Sequence, residues 1–145
     1  MEKKYWKKVR ASSSDVKNNN KIISAPSAIY SFMTIDSYTF GRIVVDGKSY
    51  DSDVILYKGT VYPNWRRMIG HLFQIDDIEK YLKKNPKKLL IGTGFSKMMK
   101  VDSEAKSYLK KASIEAIIES TSNAWKTFNF LSDKEDVMAA FHLTC

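Results

Sequence analysis

The spacing of apolar and polar positions divides this 145-residue chain into three parts. Before Ile35 the pattern is weak. From there it sharpens: Tyr38 to Val45 reads as a strand, Asp46-Gly47 as a hairpin turn, and Lys48 to Tyr57 as the returning strand. Lys58-Gly59 turns the chain again into Val61-Tyr62, and Pro63 to Phe73 reads as an irregular polar-aromatic loop. Beyond it the period lengthens. Apolar residues at 75, 78, 81 and 82 predict a helix over Ile75–Lys84, supported by the Asp76/Lys80 and Glu79/Lys83 pairs and stopped by Asn85-Pro86. Lys88 to Gly92 reads as the central strand. Asp102 or Ser103 then caps a helix to about Ala112 that buries Ala105, Tyr108 and Leu109, and Ile114 to Glu119 forms the next strand. Thr121 caps a third helix with Ala124, Trp125, Phe128 and Leu131 on one face, and Val137 to Leu143 closes the pattern as a strand.

Strands joined by helices must run parallel, because the crossover returns the chain to the edge it started from. The expected class is therefore α/β: one domain over residues 35–145, with three parallel core strands and antiparallel strands added by the N-terminal hairpins. Residues 1–34 read as a separate basic extension. Ala11 to Asn20 has the composition of a flexible linker, and Ile22 to Met33 is apolar enough to pack as an extra strand or a flap.

Charge changes this picture little. The excess of 24 Lys+Arg over 16 Asp+Glu amounts to +8, but residues 1–34 hold seven basic and two acidic side chains and so carry more than half of it. A basic extension gives salt-sensitive contact with polyanions and reads no bases, so specific nucleic-acid binding is not expected. The extension's basic charge and serines leave a mitochondrial presequence as the alternative reading, against which stand lysine in place of arginine and the acidic Glu2 and Asp15. The lone Cys145 excludes an internal disulfide framework, and no apolar run approaches the ~20 residues of a membrane span. Cytoplasm is the expected compartment.

Candidate chemistry concentrates in two places. The first is Gly92-Thr93-Gly94, where a strand breaks at two glycines and leaves the N–H groups of Thr93 to Phe95 free to hold a carboxylate or phosphate. The run matches part of a dinucleotide fingerprint, with Glu119 at the ribose-acid position, but Lys97 replaces its third glycine and no second mononucleotide half follows. The second is the loop Trp65-Arg66-Arg67 with Gly70-His71. Two guanidiniums, an aromatic face and an imidazole suit an anion or an acidic partner, whereas the plain reading makes Trp65 a plug at the core edge. If the loop folds over the glycine turn, both line one pocket. His71, His142 and Cys145 lack finger-like zinc spacing, and His142 reads as a satisfied structural histidine. Cys145 has no orienting group for nucleophilic work, which leaves regulation or contact between two copies of the chain. Neither a cofactor nor a metal is expected.

From Ile35 to Cys145 the chain resembles the Mth-nine-three-eight-like domain family. The resemblance rests on Ile35-Asp36-Ser37-Tyr38, Phe40-Gly41-Arg42-Ile43-Val44-Val45-Asp46-Gly47, Tyr50-x-x-Asp53, Val61-Tyr62-Pro63-Asn64-Trp65 and Gly70-His71. It continues through Leu90-Ile91-Gly92-Thr93-Gly94, Thr121, Ala124, Phe128-Asn129-x-Leu131 and the closing Phe141-His142-Leu143-Thr144-Cys145. The family includes an adipogenesis-associated protein and a mitochondrial factor for assembly of respiratory complex I. The resemblance implies a three-layer fold with a mixed sheet and a pocket at the glycine turn, without an established catalytic activity. Arg66, Met68-Ile69, Lys97 and Trp125 depart from the residue types common in the family. The expected role is a non-catalytic interaction or assembly domain binding a protein segment or small anion. The alternative is a metabolite-binding protein or enzyme for a phosphorylated or carboxylated ligand, with His71 as acid or base.

Overall fold

A computed structural model of the chain describes residues 33–145. The expectations for the basic extension and the 22–33 flap therefore lie outside the described residues, apart from Met33 and Thr34. Met33 is buried in the core, and the Thr34 amide donates to the Asp46 carboxylate.

Three short strands open the fold: β1 (Ile35–Thr39), β2 (Arg42–Val45) and β3 (Lys48–Tyr50), paired antiparallel in that order. The expected strand over Tyr38–Val45 is in fact two strands, because Gly41 adopts φ +79° and turns the chain between them. The turn at Asp46-Gly47 is where it was expected, with both residues at positive φ. The second expected strand, Lys48–Tyr57, also divides. Its first part is β3, and its last residues form β4 (Val54–Tyr57) in a different sheet.

That second sheet has five strands. After β4 come β5 (Thr60–Tyr62), β7 (Lys88–Gly92), β9 (Glu115–Glu119) and β10 (Val137–Phe141), in the spatial order β5-β4-β10-β7-β9. The run β10-β7-β9 is parallel, as the helical crossovers require, and β4 and β5 are antiparallel to it. Lys88–Gly92 is thus the middle of the parallel trio, but β10 occupies the middle of the whole sheet. All five β10 residues are buried because both faces of the sheet are covered. A minor parallel pair joins β6 (Leu72–Phe73) to β8 (Lys100–Val101).

The helices and the hairpin sheet supply the outer layers. On one face, α3 (Thr121–Leu131) and strands β1 and β2 bury Phe128, Ile35 and Ile43 against Val54, Leu56, Leu90, Ala139 and Phe141. On the other, Phe73, Ile78, Leu82 and α2 (Ser103–Lys111) cover Ile55, Leu89, Ile91, Met138 and Ala140. Successive strand residues point to opposite faces, so each buried strand feeds both cores. The three-layer α/β architecture with a mixed sheet stands.

Three local expectations need correction. The helix predicted over Ile75–Lys84 is a 3-10 turn (Ile75–Asp77) followed by one turn of α1 (Glu79–Leu82), because the backbone at Ile78 (φ −126°, ψ −13°) leaves the helical region between them. Ser120, not Thr121, caps α3, while Thr121 is buried beneath its first turn. Tyr108 faces outward rather than into the core.

Candidate functional site

The antiparallel register of β4 and β10 pairs Val54 with Phe141, so it brings the preceding Asp53 beside the following His142. Asp53 is the hub of the site. Its Oδ2 accepts from Arg67 Nη1 and His142 Nδ1, each at 2.9 Å, and its Oδ1 accepts from the Leu143 amide at 2.8 Å. Burial alone would raise the Asp53 pKa. The bonds from His142 and Leu143 and the charges of His142 and Arg67 reverse that and hold it below the ordinary carboxylate value. An ionised carboxylate only accepts, so His142 Nδ1 carries the proton in this pair. Arg67 Nη2 also stands 3.1 Å from that nitrogen. Both atoms then carry hydrogens, so this is a contact held by their common acceptor rather than a bond.

Arg67 has little freedom left. Its Nε donates to the Gly70 carbonyl at 2.9 Å, and its guanidinium lies over the Trp65 ring at 4.8 Å. Trp65 is buried, donating its Nε1 to the Asp77 carbonyl and its backbone amide to the Asp53 carbonyl. The Asp77 carboxylate accepts from the amides of Met68 and Gln74. The loop from Pro63 to Phe73 is therefore irregular yet firmly tied. Trp65 and Arg67 tie it down, and Arg66 and His71 project from it, exposed.

The glycine turn does not offer free amides. Thr93 N donates to the Glu119 carbonyl, and Gly94 N donates to Thr121 Oγ1 at 2.8 Å. Phe95 N donates to the Thr144 carbonyl, and Ser96 and Met98 donate to that of Cys145. The segment after β10 thus lies where an anion was expected. Both glycines serve this packing. A Cβ on Gly92 would come within 2.8 Å of Phe141 and Thr121, and one on Gly94 within 2.5 Å of the Cys145 backbone. The Thr93 hydroxyl also donates to the Glu119 carbonyl.

A cleft of about 710 Å³ instead opens on the outer side of the loop. Trp65, Arg66 and Arg67 line one side, and the stretch from Asp76 to Lys83 lines the other. Gly92, Thr93, Gly94 and His71 are not among its lining residues. His142 links the glycine turn to the loop's anchor: its amide donates to the Gly92 carbonyl, its ring touches the space a Gly94 side chain would fill, and its Nδ1 shares Asp53 with Arg67.

Asp53 and His142 are the site residues that sequence reasoning undervalued. Both fall inside quoted motifs, but only the β4–β10 register joins them. Tyr38 completes the surroundings, donating its hydroxyl to the Leu143 carbonyl at 2.7 Å. Burial and the Asp53 charge push its pKa up to about 12. A raised tyrosine pKa gives stability that is whole below the unfolded value of about 10 and is lost as pH climbs through the folded value. The urea midpoint should therefore fall between pH 10 and 12, and fall less steeply in Tyr38→Phe. Equal slopes in the two proteins would contradict the assignment.

Residues 35–142 match the family model described as protein of unknown function (DUF498/DUF598). The chain is similar to the conserved hypothetical protein PH1505 of Pyrococcus horikoshii OT3, at 30% identity over 77% of this chain and 99% of that one, with a TM-score of 0.69. It shares its fold with the protein MT938, at 23% identity, 78% and 99% coverage and a TM-score of 0.65. It also shares it with a Bordetella pertussis protein described as an Mth938-like domain, at 18% identity, 85% and 92% coverage and a TM-score of 0.54.

Proposed function

The chain belongs to the Mth938-like family (DUF498/DUF598), and within it we propose a non-catalytic interaction or assembly domain whose cleft beside Arg66 receives an extended polar segment of a protein partner. The observation that carries this reading is the chemistry of the cleft walls. Arg66, Lys80 and Lys83 bring positive charge, while Asp76 and Glu79 bring negative charge, around the aromatic rings of Trp65 and Tyr81. A peptide carries amides, charges of both signs and apolar stems, and such a lining can satisfy all three. A compact anion would meet the acidic groups as well as the basic ones. Arg67, the cation best placed to grip one, already serves Asp53, Gly70 and Trp65.

The cytoplasm is the proposed compartment; among the described residues no helix is long and apolar enough to cross a membrane. The test is recovery of a complex from cell extract with the full chain as bait, followed by crosslink mapping. Arg66→Glu with Lys80→Glu should abolish the complex, while Lys111→Glu, outside the cleft, should leave it intact. Arg66 and Lys80 are exposed, so the double variant should keep the circular dichroism and melting temperature of the parent. A complex that survives the double variant would end this reading.

Arg66, Lys80 and Lys83, the basic side chains on the cleft not engaged by Asp53, also favour a second reading, a binding protein or enzyme for a phosphorylated or carboxylated metabolite. It predicts a thermal shift with such a ligand that disappears in Arg66→Glu.

A further inference from the structure

The chain contains two histidines, distant in sequence, and the fold sets their rings side by side. His71 is exposed beside β6, and His142 is 5% exposed at the end of β10; the ring centroids are 5.6 Å apart at an interplanar angle of 66°. Asp53 holds Nδ1, so in the neutral ring, the form that binds a metal, the lone pair lies on Nε2. That Nε2 is buried and has no hydrogen-bond partner. Among the described residues it is the buried side-chain polar atom left without a partner.

We propose that His71 and His142 form a two-imidazole site for a borderline divalent transition-metal ion, with Asp53 as the positioning residue for His142. A carboxylate holding one imidazole nitrogen while the other keeps its lone pair free is the arrangement that orients metal-ligating histidines. Metal–nitrogen distances of about 2.0–2.1 Å in a tetrahedral site put two ring centres roughly 5–6 Å apart, which the observed separation already meets. Imidazole selects copper, nickel and zinc over magnesium and calcium. Among the described residues no third His, Cys, Asp or Glu gathers with these two into a metal-binding group, so water takes the remaining positions and the site stays open to a small ligand. The Arg67 charge is offset by its ion pair with Asp53. His71 is exposed, and rotation of its ring gives the ion a way in.

The full chain should bind one nickel(II) or zinc(II) ion in isothermal titration. It should bind copper(II) more tightly than nickel(II), and show no binding of magnesium or calcium. His71→Ala removes an exposed ring and should keep the metal-free melting temperature while weakening binding at least tenfold. In the parent chain, nickel(II) should broaden the imidazole nitrogen resonances of both histidines, a readout that needs no variant. Absence of saturable binding, binding that persists in His71→Ala, or broadening that spares either imidazole would each overturn the proposal.

Discussion

Replacing Asp53 with alanine should destabilise the domain by about 3–5 kcal/mol, the usual consequence of removing one partner from a buried charge pair. The Arg67 guanidinium and the His142 ring would lose their common acceptor, and the Leu143 amide would lose its own. Asp53→Asn should recover little. Its amide keeps one oxygen for these three donors and turns two hydrogens of its own towards them. Urea unfolding followed by circular dichroism measures the loss. It also has a pH signature. The folded-state pKa of Asp53 is depressed, so the unfolded state takes up the proton first as pH falls. The stability it supplies is present above the unfolded value of about 4 and is lost as pH drops through the folded value. The parent chain should therefore lose stability on acidification below about pH 4 more steeply than Asp53→Asn does. Parallel acid limbs would show that Asp53 is not the group responsible.

Gly94→Ala should be comparably damaging, although it adds one methyl group. The backbone at Gly94 has φ +107°, and the new Cβ would sit 2.5 Å from the Cys145 carbonyl carbon and 2.8 Å from His142 Cδ2. Backbone strain costs of the order of 1–3 kcal/mol. The clash is with main chain, which no rotamer change relieves, so the segment after β10 must move and release the amides of Phe95, Ser96 and Met98. A total loss of about 3 kcal/mol or more follows. Gly47→Ala isolates the strain, since it has φ +82° and nothing within 4 Å of its Cβ position; it should cost about 1–2 kcal/mol. Urea midpoints compare the two, and amide hydrogen exchange at Phe95 and Met98 should quicken in the Gly94 variant alone.

The parallel half of the fold was legible because its signals are local: Lys88–Gly92 and Glu115–Glu119 are apolar runs bounded by caps, turns and proline. The hairpin half was harder. Gly41 and Asp51-Ser52-Asp53 interrupt runs that otherwise read as continuous strands, and nothing nearby announces that β3 and β4 enter different sheets. The same gap hid the site. Asp53 and His142 become neighbours only through a pairing between the fourth strand and the last. The two glycines were expected to leave amides open for an anion, but the segment after β10 packs against them and, with Glu119 and Thr121, takes those amides, which no local pattern reveals. Trp65 matched its plain reading as a core plug, and Arg67 followed it inward through the stacked ring and the Asp53 carboxylate.

The central place of β10 also affects synthesis. Val137 to Phe141 leaves the ribosome after every other described strand, yet it joins β4 on one side to β7 on the other. Until it arrives, the nascent polypeptide holds two half-sheets with unpaired inner margins, and at roughly 5–20 residues per second β4 waits several seconds for its neighbour. Cooperative closure of the domain is therefore a late event, and the interval before it is when a chaperone would have most to shield.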